Sequence, residues 1–536
     1  MRQNHKNECA DAGNDQFERR SFLQFLGAGG LAALAGCTAT DGSDGADGTL
    51  TVAEATEPDE LNPIMTSAAE GTVAARWAYS SLTWIDWDNE VRSDLATDWS
   101  SNDEGDVWRF ELRDDATFYQ SGNSVIADDI KATYETVYDP SVASPGEGSL
   151  GPIDSVEVVS DTEVEVILER PYSQLPRALA LNWGLIVEEN ALEEHFDELN
   201  QESYGSGPFI LDEYEPGSHA RFVKNEDYYL QDEAGEQLPH IDVIDHRYIP
   251  ESSARMNTLQ TGDIDLLRTA SSEEMDQIEA IDGINPVEEE GGWVYPIIMN
   301  HQIEPFDDNR VRQAFKYAMD QERITEVAQL GYGSPAENHS PVAPMNESYT
   351  TDLTPDYGTE ARPEEARSLL EEAGYDNGLE IEHPLLVPSE RAPPIRAIAE
   401  LTQDQMQEVD VYFDLEEVTW DRFLSEVEAQ EPFYVSSYSA WEVEYQGLHI
   451  QLHSDGAWNG VKWENEDFDE AIENAIQATD PEEQIAYYQE AQQLAHEFAG
   501  YVAPFDTSAL SAVREGVQGY EPNSFEQTVH AEYMQK

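Results

Sequence analysis

Residues 204–267 read YGSGPFILDEYEPGSHARFVKNEDYYLQDEAGEQLPHIDVIDHRYIPESSARMNTLQTGDIDLL. Two turn signals, Gly207-Pro208 and Pro216-Gly217, divide the first part of this stretch into short segments. Because Gly and Pro at such positions bound strands, the spacing predicts a hairpin formed by residues 209–214 and 220–224.

The second part of the stretch predicts a strand, a helix and a further strand. Residues 241–249 alternate apolar and polar side chains, as a half-buried strand does. Ser252 is placed to cap a short helix, and Gly262 is placed to end it. Apolar residues within 264–267 predict a buried strand. A hairpin followed by strand, helix and strand is one layer of an α/β domain.

Four motifs in this stretch resemble those of the extracellular solute-binding proteins of ABC importers, family 5, which capture dipeptides, oligopeptides or nickel complexes. The motifs are Gly205-Ser206-Gly207-Pro208-Phe209, Glu213-Tyr214-Glu215-Pro216-Gly217, Lys224-Asn225-Glu226-Asp227-Tyr228-Tyr229 and Thr261-Gly262-Asp263-Ile264-Asp265. The resemblance implies an α/β, two-lobed periplasmic-binding-protein-like fold (type II, cluster C) with an extra inserted α/β domain, in which the ligand binds between the lobes.

The same resemblance implies how the chain is divided into domains. It extends from about residue 50 to the C-terminus. The implied parts are a discontinuous lobe I at 50–90, 203–300 and 500–536, an inserted domain at 91–202, and lobe II at 301–499.

Two later segments carry helix start signals. An Asp at 307–308 precedes a stripe that includes Val311 and Phe315, which predicts a capped amphipathic helix. Asp480 followed by Pro481 predicts an N-cap and a first helical residue.

The charge of the chain is strongly negative, with 28 Lys and Arg residues against 111 Asp and Glu residues and a formal net charge of −83. The acids are spread along the sequence and 40% of the residues are hydrophobic, so a folded protein is predicted rather than a disordered one. Such a charge repels itself in dilute buffer, whereas molar salt shortens the screening length to about 3 Å. The composition predicts an extracellular protein of an extreme halophile, as in the haloarchaea. It excludes nucleic-acid binding, because no basic patch is present to meet phosphates.

The N-terminal residues predict an export signal and a tether rather than a fold. Arg19 and Arg20, followed by a short apolar segment, resemble a twin-arginine signal. Cys37 follows small residues in a pattern that resembles a lipobox, so residues 1–37 are predicted to be a signal peptide and Cys37 to carry the lipid. Residues 38–49, rich in Gly and Asp, predict a flexible acidic tether. We expect the protein on the outer face of the cytoplasmic membrane, lipid-anchored and exported by the twin-arginine route.

A carboxylate in the sequence WEVEY, residues 441–445, is the best candidate for binding the ligand. Peptide-binding members of the family place an acid three residues after a Trp here, and the resemblance implies that Glu444 receives the ligand's α-ammonium. A carboxylate suits this task because it accepts several charge-assisted hydrogen bonds in a water-excluded cleft. Trp441 would supply an apolar wall or a cation–π face, and Tyr445 belongs to the same predicted site. The sequence differs from the family's pattern in carrying Glu rather than Asp and in lacking an Asp-Pro after Tyr445.

No metal site, cofactor or catalytic group is predicted. His449 and His453 have the i,i+4 spacing of helical metal ligands, but no Cys or third His lies near them in the sequence, so exposed or core histidines are the preferred interpretation. No nucleophile elbow, P-loop or dinucleotide fingerprint is found in context. A glycosidase pair cannot be recognised among so many acids. The chain is therefore not expected to be an enzyme.

The function expected from the sequence is capture of di- or oligopeptides for an ABC importer. The protein would act as a monomer, close its lobes on the ligand, and deliver it to a membrane permease driven by an ATPase. Two other cargoes remain open in the same role, an oligosaccharide and a nickel or other metal chelate. The remaining alternatives are a surface hydrolase and a signalling or adhesion lipoprotein without a transported ligand.

Overall fold

The computed structural model describes residues 48–536, apart from residues 59, 88, 147, 390, 440–442 and 523–528. Its larger sheets have seven, five and four strands, and helices accompany each of them, so the predicted α/β class is confirmed. None of the helices in these described ranges is long and apolar enough to cross a membrane.

The seven-stranded sheet contains the stretch quoted first. The predicted hairpin is observed at Phe209–Glu215 and His219–Lys224, and the next predicted strand is observed at Val243–Tyr248. Thr49–Glu54 pairs in parallel with Val243–Tyr248 and with Leu266–Leu267, and the other pairs are antiparallel. Across the sheet, the strands are Ile284–Glu290, Ser508–Arg514, Leu266–Leu267, Thr49–Glu54, Val243–Tyr248, His219–Lys224 and Phe209–Glu215.

The helix within this stretch begins one residue earlier than predicted. It spans Ser252–Thr261 with Glu251 at the N-cap position, so the prediction that Ser252 is the cap is wrong. Arg255 fixes this end instead, because its guanidinium donates to the carbonyls of residues 249 and 250, each at 2.8 Å. Gly262 ends the helix as predicted, at a φ of 86° that Gly adopts without steric cost.

The five-stranded sheet is formed by residues from the second half of the chain. The chain passes between this sheet and the seven-stranded sheet twice, at residues 291–296 and 503–507. Thr507 joins the two passages, since its hydroxyl donates to the Gly291 carbonyl at 2.6 Å and accepts from the Trp293 N–H at 2.7 Å. Across the sheet, the strands are Leu415–Glu417, Leu385–Val387, Phe433–Val435, Ile297–Met299 and Tyr501–Val502.

The four-stranded sheet is antiparallel and lies between the first strand of the chain and the hairpin in sequence. Its strand Val107–Leu112 alternates exposed and buried residues towards its end, and the helix Ala127–Val137 packs against the sheet. Across the sheet, the strands are Ala96–Ser101, Val107–Leu112, Glu163–Leu168 and Ile153–Ser160.

The remaining elements are helices and short strand pairs. Asp308 and Asp480 cap their helices as predicted, accepting from the N–H of Arg310 and of Glu482, each at 2.9 Å. The helices are Ala69–Ala78, Ala127–Val137, Leu175–Leu179, Glu189–Glu194, Ser252–Thr261, Ser272–Ile278, Asn309–Ala318, Gln321–Ala328, Pro363–Glu372, Pro393–Glu408, Trp420–Arg422, Glu444–Leu452, Glu466–Gln477 and Pro481–Phe498. The short strand pairs are Thr83–Ile85 with Val91–Ser93, Trp293–Val294 with Tyr438–Ser439, Ser334–Pro335 with Phe505–Asp506, and Leu379–Glu380 with Val411–Tyr412.

Candidate ligand site

A cavity of about 390 Å³ lies between the four-stranded sheet and the helices of the second half of the chain. This volume is within the range of small-molecule sites in proteins. Its walls combine aromatic rings with polar and charged groups from distant parts of the sequence. The lining residues include Trp99, Trp108, Gln174, Arg177, Glu347 and Glu444.

Glu444 is the first residue of the helix Glu444–Leu452, and its carboxylate is buried at the cavity, with the residue 7% exposed. Oε2 accepts a hydrogen bond from Gln174 Nε2 at 3.2 Å, and Oε1 accepts one from the Ser348 hydroxyl at 3.2 Å. In the described part of the chain, no Lys, Arg or His lies within ion-pair distance of this carboxylate. The first turn of a helix favours a negative charge. Glu444 is therefore held by neutral donors, and none of the described residues gives its carboxylate a cationic partner.

Arg177 supplies a positive group to the same cavity. Its Nη1 donates to Asn89 Oδ1 at 2.9 Å, and its Nη2 donates to the Asn89 carbonyl. No carboxylate among the described residues forms an ion pair with it. The cavity thus holds a carboxylate and a guanidinium, each bonded to neutral groups.

The two sides of the cavity are also joined directly by hydrogen bonds. Gln484 Nε2 donates to the Ser173 hydroxyl at 2.5 Å, and the Ser173 N–H donates to the Ile476 carbonyl at 3.2 Å. At another point, Asn89 Nδ2 donates to the Met345 carbonyl at 3.1 Å. These contacts hold residues near 89 and 173 against residues of the second half of the chain.

Tyr445 follows Glu444 in sequence but is not among the residues that line this cavity. Its hydroxyl accepts a hydrogen bond from Arg170 Nη2 at 2.8 Å, and burial is the main cause that raises its pKa. Arg170 also pairs with Glu473, Nη1 to Oε1, at 3.3 Å. The ring of Tyr445 makes an edge contact with Tyr172, with centroids 6.1 Å apart. The structure therefore places Tyr445 next to the cavity, in contact with Arg170 and Tyr172.

Four residues of the sequence predictions lie outside the described residues. They are Trp441 of the ligand site, Cys37 of the lipobox, and Arg19 and Arg20 of the export signal.

The partners of Glu444 could not be predicted from the sequence. Gln174 is 270 positions away and Ser348 is 96 positions away, and neither stands in a motif. Arg177 is one of only 28 basic residues, and this scarcity is the one feature of the sequence that could have drawn attention to it.

A family model decides what kind of protein this is. The model described as "Bacterial extracellular solute-binding proteins, family 5 Middle" matches residues 90–459, which is more than half of the chain. The chain belongs to this family. The family 5 proteins that it matches are substrate-binding components of ABC importers rather than enzymes, and they work with ABC permease components.

Individual relatives agree with this assignment over nearly the whole chain. The "Glutathione-binding protein GsiB" of Escherichia coli is 24% identical over 482 residues, covering 88% of this chain and 91% of that protein. Among solved structures, HbpA2 from Haemophilus parasuis has a TM-score of 0.80 at 24% identity, covering 91% of this chain and 100% of that one. DppA from Helicobacter pylori, in complex with the peptide STSA, has a TM-score of 0.73 at 22% identity, covering 91% and 98%. The family 5 fold predicted from the motifs, a two-lobed periplasmic binding protein, is thereby confirmed.

Proposed function

We propose that this family 5 protein captures di- or oligopeptides by their free amino terminus and delivers them to its permease. The observation that carries the proposal is the buried Glu444 carboxylate, which lines the cavity and has no cationic partner among the described residues. A buried charge without a counter-charge is costly, so this site is complementary to a ligand that brings a positive charge. At 4 Å, a pair of unit charges attracts by about 4 kcal/mol at an effective dielectric of 20.

The rest of the cavity suits the remainder of a short peptide. Arg177 offers a guanidinium whose N–H groups that are not bonded to Asn89 would bind the carboxylate of the peptide. Trp99 and Trp108, both half-buried, offer apolar walls. Trp441 and Tyr445 are proposed to complete the ligand site, Trp441 as apolar wall or cation–π face and Tyr445 beside Glu444.

The names of two relatives support a peptide cargo. The Escherichia coli relative is named for glutathione, which is a tripeptide, and the Helicobacter pylori structure holds a peptide. An oligosaccharide or a metal chelate would leave the charge of Glu444 without a matching ammonium, and both are outcomes that the experiment below separates.

The proposal includes the cellular setting and the division of the chain. We infer that the protein is exported by the twin-arginine route through Arg19 and Arg20, lipidated at Cys37, monomeric, and adapted to molar salt by its net charge of −83. The parts would be lobe I, the inserted domain and lobe II at the boundaries predicted from the sequence, except at two junctions. The short strands Ile297–Met299 and Tyr501–Val502 fall within the predicted lobe I but pair in the sheet of lobe II, so we assign them to lobe II.

The test compares free and N-acetylated peptides. A thermal-shift panel of di- to pentapeptides, oligosaccharides and nickel chelates in molar KCl first finds a ligand, because stabilisation follows RT ln(1 + [L]/Kd). Calorimetry then measures the best peptide and its N-acetylated form. Loss of one partner of a buried charge pair costs about 2 kcal/mol or more. Glu444→Gln should therefore lower the affinity for the free peptide about 30-fold and leave the affinity for the acetylated form nearly unchanged.

Glu347→Gln is the matched control, since Glu347 lines the same cavity but is exposed. It should change the affinity for the free peptide little. Equal affinity of the wild type for free and acetylated peptide would contradict the role of Glu444. Stabilisation by a sugar or a nickel chelate and by no peptide would contradict the cargo.

A further inference from the structure

Three side chains at the C-terminal end of the helix Glu444–Leu452 and in the turn after it are not among the residues that line the ligand cavity. His449 and His453 stack with ring centroids 4.3 Å apart and an interplanar angle of 20°. Asp455 reaches both rings, because its Oδ1 lies 3.1 Å from His449 Nε2 and 2.5 Å from His453 Nδ1. One possible ligand atom from each residue lies within 4.8 Å of the other two. No Cys or third His is near the two histidines in the sequence, and the third group of this cluster is instead an acid in the turn after the helix.

His453 faces a carboxylate at each of its ring nitrogens. Asp455 is at Nδ1, and Asp469 Oδ1 lies 3.6 Å from Nε2, where it is held by the Ser454 N–H at 3.1 Å. A neutral imidazole has one N–H and one lone pair, so one of these carboxylates faces a lone pair. Nδ1 meets both the Asp455 carboxylate, at 2.5 Å, and the Asp455 backbone N–H, at 3.3 Å. A positive ion bound to the lone pair of Nδ1 would take the place of this N–H and would pair with the carboxylate.

We propose that His449 Nε2, His453 Nδ1 and Asp455 Oδ1 bind one divalent transition-metal ion, with Zn²⁺ as the expected occupant and water completing the coordination. Two imidazoles and one carboxylate suit a borderline cation such as Zn²⁺, whereas Mg²⁺ and Ca²⁺ prefer oxygen ligands. Asp469 would orient His453 from the other nitrogen, which is the usual support of a metal-bound imidazole.

Accommodation of the ion needs movements of the two imidazole rings and of Asp455, because rings stacked at 20° do not direct their in-plane lone pairs to one point. Ligands at about 2.0–2.1 Å from a tetrahedral zinc lie roughly 3.3 Å apart, so Asp455 must move outward from His453. Its side chain is 74% exposed and is free to do so. The ion would tie the end of this helix to the following turn and, through Asp469, to the helix Glu466–Gln477.

The test uses Co²⁺ as a spectroscopic substitute for Zn²⁺. The full chain is stripped of metal, its thiols are alkylated, and it is titrated with Co²⁺ in molar KCl that contains excess Mg²⁺ to occupy weak carboxylate sites. We expect one Co²⁺ per chain, with the visible bands of nitrogen ligation, displacement by Zn²⁺, and a thermal midpoint that rises with free Zn²⁺. His449→Gln and Asp455→Asn should each weaken binding about 10-fold or more and remove the bands.

Two controls separate this site from other carboxylates and from the cargo site. His240→Gln changes a second grouping, Asp232, Glu236 and His240, and Glu444→Gln changes the ligand cavity. Both should leave the Co²⁺ titration unchanged. The proposal is overturned if the wild type shows no saturable visible bands, or if the bands survive in both His449→Gln and Asp455→Asn.

Discussion

Replacement of Glu54 by Gln is expected to remove about 3 kcal/mol of stability at neutral pH. Glu54 ends the first strand of the seven-stranded sheet and is buried together with His246 and Arg268. Its Oε1 lies 2.9 Å from His246 Nε2, and its Oε2 accepts from Arg268 Nη2 at 2.8 Å. Loss of the negative charge would leave the buried guanidinium of Arg268 with less counter-charge, which costs far more than loss of an exposed pair.

The magnitude follows from the pKa of the Glu54 carboxyl. Burial by itself would raise this pKa, but the charges of Arg268 and His246 and their hydrogen bonds outweigh burial and lower it from 4.5 to about 2. A difference of about 2.5 corresponds to about 3 kcal/mol, at about 1.36 kcal/mol for each pKa unit. Because the folded-state pKa is the lower one, the stabilisation is complete above pH 4.5 and is lost as the pH falls towards 2.

Urea unfolding in molar KCl, from neutral pH down to about pH 3, measures this contribution as the difference between wild type and Glu54→Gln. The difference should be about 3 kcal/mol at neutral pH and should shrink below pH 4.5. Glu400→Gln is the control, since Glu400 pairs with Arg396 at 2.9 Å on the surface, and it should show no measurable difference. A difference that stays constant with pH, or that is absent at neutral pH, would refute the reasoning.

Two further substitutions test other parts of the fold. Lys316 is fully buried and has no carboxylate within ion-pair distance in the described ranges, and burial, with the charge of Arg312, lowers its pKa well below 10.5. Because protonation of Lys316 opposes folding, Lys316→Met should be at least as stable as wild type at neutral pH in urea unfolding. The free energy of unfolding of the wild type should then rise relative to that of the variant as the pH rises towards 10.5. A variant less stable than wild type at neutral pH would contradict this. Gly207→Ala would place a Cβ 2.5 Å from the carbonyl carbon of Ala78, so it should cost about 2 kcal/mol or more in the same assay. Gly217→Ala, at an open turn with a φ of +77°, should cost about 1 kcal/mol, and equal losses would contradict the close approach at Gly207.

Elements whose signals lie within a few residues were predictable from the sequence. The hairpin at Phe209–Glu215 and His219–Lys224 follows from its turns and alternation, and the Asp480 cap follows from its own side chain and the Pro after it. The prediction that Ser252 is the cap was wrong because contacts outside the local sequence pattern fix this end of the helix. Arg255 donates to the preceding carbonyls and pairs with Glu274 at 2.6 Å.

The candidate site was predictable only in part. Glu444 was found through its resemblance to a family motif, and the structure places its carboxylate at a cavity. Asp455 was missed although it is two residues from His453, because one acid among 111 carries no signal. Whether an acid is solvated, paired or turned towards two imidazoles depends on backbone direction after the helix, which the local sequence does not encode.

The sequence by itself determined the family, the class of fold and the solute-binding role, because motifs, turns and caps are fixed by short-range sterics and hydrogen bonding. The tertiary structure alone decided that Gln174 and Ser348 hold Glu444, that Arg177 shares its cavity, and that His449, His453 and Asp455 converge. The physical reason is that these contacts join segments whose separation in space is set by the packing of whole sheets and helices. The charge of Glu444 becomes informative only when its surroundings are known, since the described residues around it supply neutral donors and no cation.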